Sequence, residues 1–199
     1  MISVPEEMAR EGAREPSFRA SARQLALVLL MVSMGALFLA AIVAHLITHG
    51  GGHRGQRTEL PLWWALGGGT VLVACASLCL HLACRAMPRN ALSAAGRYLD
   101  GAFLAGAGFL LVQGWGWFVL ATRVDATSPA ALTALTFYML TGLHAAHVLG
   151  GLVPLAVVAV RARRAAYSSS LWEPIALCAL YWHFIAAVWL VLVTVILLV

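Results

Sequence analysis

The groups in this sequence that could move protons or bind metal are seven histidines, eight carboxylates and four cysteines. The carboxylates are Glu6, Glu7, Glu11, Glu15, Glu59, Asp100, Asp125 and Glu173, and all of them fall outside long apolar runs or at their edges. Proton relays and ion pathways need ionisable groups within the membrane-spanning segments. With no carboxylate there, a pump or coupled transporter acting by itself is not expected. The histidines are different: His45, His81, His144, His147 and His183 lie inside apolar runs. A haem held by two histidines needs them on different helices at similar depth. At 1.5 Å per residue, His147 lies roughly 20 Å from the inner end of its helix and His183 roughly 14 Å from the inner end of its own. That is the best match in depth, and it is poor. The expected role of these rings is hydrogen bonding between helices or to lipid headgroups. Cys75, Cys79, Cys84 and Cys178 form no C-x-x-C pair and no haem-attachment pattern, so they read as small packing residues. Neither a cofactor nor a metal site is expected in this chain.

The elements that position these groups follow from composition. Of 199 residues, 62% are hydrophobic and 11% charged, where a soluble domain carries about 25% charge. Only a bilayer satisfies that much apolar surface. Five runs without charge are long enough to cross a hydrocarbon core of about 20 residues: 25–47, 60–84, 101–122, 126–160 and 174–199. The fourth is expected to begin its helix at Pro129, a favoured first-turn residue, and to span 129–160, with Pro154 late in it as a possible kink. Runs of this length without two-residue alternation are helices, since only helices or closed barrels pair every backbone group in lipid. The expected fold is all-α, a polytopic bundle of five transmembrane helices (25–199) preceded by a polar, cytoplasmic N-terminal tail (1–24).

All 13 basic residues are arginine, and they sit between the apolar runs. Arg10, Arg14, Arg19 and Arg23, then Arg85, Arg89 and Arg97, then Arg161, Arg163 and Arg164 share one side of the membrane; Arg54, Arg57 and Arg123 occupy the other. The positive-inside rule puts the ten-arginine side, and the N-terminus, in the cytoplasm and the C-terminus outside. The net charge of +5 therefore reads as membrane topology, and no nucleic-acid partner is expected. Trp63, Trp64 and Trp172 mark interfaces, while Trp115, Trp117, Trp182 and Trp189 lie deeper and are expected to pack between helices or against a partner. Gly142, Ala146 and Gly150 recur every four residues on helix 4, a smooth strip that lets another helix approach closely.

Two segments carry a family resemblance. Helix 4 reads Thr141-Gly142-Leu143-His144-Ala145-Ala146-His147-Val148, and helix 5 reads Tyr181-Trp182-His183-Phe184 and ends the stretch at Trp189. In order, spacing and position these are similar to the two signature stretches of subunit III of the heme-copper terminal oxidases. Ser33, Phe38, Gln113 and Trp117 fit weaker parts of the pattern, so the resemblance covers residues 20–199. Five helices match the short bacterial form of the family. The resemblance implies a subunit of the bacterial inner membrane without haem or copper of its own, those groups residing in partner subunits. It implies packing on subunit I, beside subunit II and other members of a cytochrome c or quinol oxidase complex, and the holding of phospholipids. Carried over by motif, His144, His147, His183 and Trp189 are the lipid- or subunit-contact positions, and Arg161, Arg163 and Arg164 would meet anionic headgroups at about 1 kcal/mol each.

The departures fall on acids. Where the family has glutamate or aspartate, this chain has Met34, Gly116, Ala176 and Ala186, although Glu173 stands one turn before Ala176. A family role resting on those acids, such as feeding protons towards the catalytic subunit, loses its groups here; a scaffold role does not. Two other readings remain: an accessory membrane protein of a nitric oxide reductase system, which shares the fold, and a stand-alone histidine-ligated haem protein or carrier. The last has a direct test. The chain purified alone is expected to show no Soret band, and a stoichiometric band would establish a haem protein.

Overall fold

The computed structural model describes residues 6–50, 63–124, 130–164, 167 and 172–198. These form five helices in chain order: α1 (Glu6–Gly50), α2 (Trp63–Ala86), α3 (Leu92–Ala121), α4 (Ala130–Arg163) and α5 (Glu173–Leu198). Each contains a stretch long and apolar enough to cross a membrane. Pro129, residues 60–62, Val199, and the outer arginines Arg54 and Arg57 lie outside the described residues.

Two helices start earlier than hydropathy marks them. α1 reaches back through the polar N-terminal segment to Glu6, whereas its uncharged run begins only after Arg23. Glutamate and arginine alternate there at four-residue spacing (Glu6 with Arg10, Glu15 with Arg19), a pattern that supports a helix in water. α3 begins at Leu92, nine residues before its uncharged run, because Arg97 and Asp100 sit on exposed or half-exposed positions and need not interrupt it. α4 continues through Pro154 to Arg163.

The turn between α2 and α3 is tight. Asn90 adopts φ 54°, a left-handed conformation that asparagine tolerates better than most side chains. Its N–H bonds the Met87 carbonyl at 3.1 Å, and the N–H of Ala91 bonds the Ala86 carbonyl at 3.2 Å. The two helices therefore run antiparallel as neighbours, and theirs is the most extensive interface in the molecule.

Four helices close into a ring, with α2 on α3, α3 on α4, α4 on α5 and α5 back on α2. The ring encloses Trp182, Trp189, Phe109, Leu80, Leu99, Leu155, Ile175 and Ile185, all sealed from the surroundings. α1 stands outside the ring and touches only α4 and α5 among the described elements. Among its described side chains, those buried are Met34, Phe38 and His45. The outward positions, such as Leu104 and Leu111 on α3 and Val153 on α4, are as apolar as the core. In lipid they need no cover, and what holds the ring is close packing and interhelical hydrogen bonding.

Close packing around Tyr181 and Trp182 depends on two glycines. A side chain at Gly106 on α3 would overlap the Trp182 ring and press against Leu152. One at Gly151 on α4 would stand 2.6 Å from Cε1 of Tyr181. The missing side chains on α3 and α4 are thus the space that the aromatic pair of α5 occupies. Gly106→Val is expected to lower the stability of the chain in detergent by about 1–3 kcal/mol, the range for overpacked cores, seen as a lower unfolding midpoint. An unchanged midpoint would show that Trp182 is not seated there.

Candidate functional site

Four of the residues singled out by sequence, Tyr181, Trp182, His183 and Trp189, join α5 to its neighbours in the ring. Trp189 of α5 donates its Nε1–H to Oγ1 of Thr70 on α2 at 3.0 Å. One and a half to two turns towards the other end of α5, Nδ1 of His183 hydrogen-bonds Oγ of Ser77 on α2. Further along again, the Cys84 thiol stands 4.0 Å from the Ile175 carbonyl of α5. Thr70, Ser77 and Cys84 are spaced by seven, so α2 presents its polar atoms to α5 along a single seam, two turns apart each time. Thr70 and Ser77 are missing from the sequence-based candidates; their seven-residue spacing was the available signal.

α5 binds α4 with the other half of its motif. The Tyr181 hydroxyl donates to the His147 carbonyl at 3.0 Å, and Nε1–H of Trp182 to the Gly151 carbonyl at 3.4 Å. Between α3 and α4, Nε1–H of Trp117 reaches Oγ1 of Thr141 at 3.0 Å, and the Tyr138 hydroxyl returns to the Trp117 carbonyl at 2.9 Å. Gln113 of α3, buried, lies 3.4 Å from the Ala65 carbonyl of α2. Each neighbouring pair in the ring therefore has at least one polar fastening, and the signature residues supply most of them.

The histidines divide by environment. His147 sits with Nδ1 2.7 Å from the Leu143 carbonyl, which only accepts, so that nitrogen carries the proton. Its ring lies 5.2 Å from the Phe38 ring of α1. His144 is fully buried in an aromatic box, 4.9 Å from Trp189, 5.4 Å from Phe109 and 6.1 Å from Phe38. Both of its ring nitrogens are enclosed without a hydrogen-bond partner among the described residues. The two histidines that come together are His81 and His183, with ring centroids 6.2 Å apart, a pairing the depth argument did not select. Among the described residues, no group of three or more His, Cys, Asp or Glu gathers where a metal ion could be held.

The remaining candidates lie at the surface. Ala146 and Gly150 are exposed and Gly142 is half-buried, and among the described residues nothing stands within 4 Å of a side chain built at Gly142 or Gly150. Arg161, Arg163 and Arg164 are exposed at the end of α4, and Arg163 pairs with Asp100 of α3 at 2.7 Å. The family's acid positions are dry here: Met34 and Gly116 are buried, and Ala176 and Ala186 are half-buried.

Comparison with known proteins bears directly on these residues. The family profile described as cytochrome c oxidase subunit III matches residues 101–198, the segment that holds both signature stretches. A probable cytochrome c oxidase subunit 3 of Mycobacterium bovis is 30% identical over 139 residues, covering 70% of this chain and 68% of that protein. The chain belongs to the cytochrome c oxidase subunit III family. The probable subunit 3 of Mycobacterium leprae is 29% identical over 80% of both chains. The subunit 3 of Synechocystis is 28% identical, covering 85% of this chain and 72% of its own. All three are named for the oxidase, as the motif resemblance implies, and none for a nitric oxide reductase system. The chain is thus a multi-pass membrane protein, a non-redox subunit of an oxidase complex with other subunits.

Buried His144 and half-buried His183 are expected to respond oppositely to removal. His144→Phe removes an imidazole with no partner from an aromatic site and should leave stability in detergent unchanged or raise it. His183→Phe breaks the Ser77 bond and should cost about 1 kcal/mol. Parallel unfolding curves of the two variants test this; a large loss for His144→Phe would reveal a partner for its ring.

Proposed function

We propose that this subunit acts as a brace for the catalytic subunit of a cytochrome c oxidase. It packs directly on subunit I in the cell membrane, holds phospholipid at its surface and keeps the oxygen-reducing, proton-pumping complex assembled, with haem and copper in the partner subunits. The observation that carries this reading is the fate of the signature residues. Tyr181, Trp182, His183 and Trp189 spend their polar atoms on neighbouring helices, which supports a structural role for them. The side of the molecule free for a partner is supported by Gly142, Ala146 and Gly150, small residues turned away from the chain's own core, where a helix of subunit I could approach within van der Waals distance.

The substituted acid positions support the same reading. A carboxylate at Met34 or Gly116 would be enclosed in apolar surroundings, where it is expensive unless paired. This subunit would then sustain turnover of the complex through packing and lipid, without relaying protons itself. The ten-arginine side, with Arg161, Arg163 and Arg164, faces the cytoplasm and its anionic headgroups.

His147→Ala tests the brace. The ring is one of the contacts of α4 with Phe38 of α1, so its removal should loosen α1. The purified complex should keep its haem spectrum while losing this subunit, or its lipid, on detergent washing. A diminished haem signal in a complex that still contains every subunit would contradict the proposal.

A further inference from the structure

We propose that the outward face of α2 is a second docking surface, occupied by a transmembrane helix that carries a carboxylate level with His81 and belongs to a membrane subunit other than the one on α4. The inference goes beyond the brace reading, which gives α4 a neighbour and says nothing of α2.

The polar groups on this face carry the argument. Among the described elements α2 packs only on α3 and α5, so one side of it is bare. His81 is exposed there, little more than one turn inside the end of the helix at Ala86. Among the described spans it is the one exposed histidine: His45 and His144 are buried, and His147 and His183 are half-buried. Its ring meets that of His183, with centroids 6.2 Å apart, and makes no hydrogen bond among the described residues. An imidazole always has at least one N–H to donate, and facing hydrocarbon that group is costly unless it is paired. It also lacks the long stem with which arginine reaches back to headgroups. Arg85 follows one turn later on the same face, exposed and without an ion pair among the described residues. Two donors one turn apart suit one carboxylate on a facing helix, an acceptor that strengthens both bonds by its charge.

The rest of the face has the shape to receive a helix. Running away from His81 it presents Leu78, Ala74, Val71 and Gly67, all exposed and spaced by three and four, the row that a facing helix packs along. A side chain built at Gly67 meets nothing within 4 Å, so a neighbour's side chain can enter there. The adjacent outer face of α3 differs. Its exposed residues Leu104, Leu111, Trp115 and Phe118 are bulky and suited to lipid.

The order of helices separates this surface from the α4 side. α2 and α4 share no contact and stand across the ring from each other. A neighbour lying on Gly142, Ala146 and Gly150 therefore leaves α2 uncovered, and the subunit stands between two membrane partners.

The test is photo-cross-linking of the tagged chain in native membranes, with benzoylphenylalanine placed at Leu78 or Val71 on α2, at Leu149 on α4 or at Leu104 on α3, and the adducts mapped by mass spectrometry. Both α2 positions are expected to label a transmembrane segment with an aspartate or glutamate at the level of His81, and Leu104 to label lipid. If one α2 probe prevents assembly, the other decides. Combined with the Leu78 probe, His81→Leu is expected to lower the adduct yield about threefold, the effect of losing one interhelical hydrogen bond, and His81→Gln, which keeps a donor, to lose less. Lipid adducts alone from α2 would overturn the docking surface. A labelled segment without a carboxylate, or an unchanged yield in His81→Leu, would overturn the pairing. The same polypeptide labelled from α2 and from Leu149 would overturn the second partner. Subunit I is assayed in every preparation: its recovery with any of these negative results leaves the brace reading standing, and its absence overturns that reading.

Discussion

A polar atom inside a membrane bundle has no water to turn to, so its partner must come from another helix or from its own backbone. That constraint organises this molecule. The interhelical bonds are individually small, around 0.6 kcal/mol on average, but here they recur at each junction of the ring, and they sit where the packing is tightest. Trp189 shows how the two act together: its ring is sealed in the core, its indole N–H reaches Thr70, and its face lies against His144 and Phe109. Removing the bond would leave a buried donor; removing the ring would leave a hole.

The same constraint explains why α5 carries so much of the family signature. It touches α1, α2 and α4, and so serves as the post around which the others stand. One face gives Trp189 and His183 to α2, and another gives Tyr181 and Trp182 to α4. The glycines at 106 and 151 are the counterpart of those rings on the facing helices.

Much of this was legible in the sequence. Length and hydropathy mark five helices, and the spacing of histidines and aromatics marks the segments that meet. Direction was harder. In water, an apolar stripe identifies the buried face; in lipid, the outward face is apolar too, so Leu111 and Leu99 look alike although one is exposed and the other sealed. For that reason the strip Gly142, Ala146 and Gly150 gave no hint that it turns away from the chain. The ends of helices were obscured by charge: α3 extends through Arg97 and Asp100 because helices do not stop where the membrane does. The pairing of Thr70 and Ser77 with α5 was present as a seven-residue period of small polar side chains on α2, a weaker signal than the histidines and a better guide to the seam.

The central claim is that these polar and aromatic residues build a support for a neighbour that performs the electron chemistry. Isolation of the tagged chain from native membranes, with identification of every polypeptide and measurement of haem, tests it most directly. The account predicts recovery with oxidase subunits I and II and with haem in proportion to subunit I. Recovery of the chain alone carrying its own haem, or with a different complex, would contradict it.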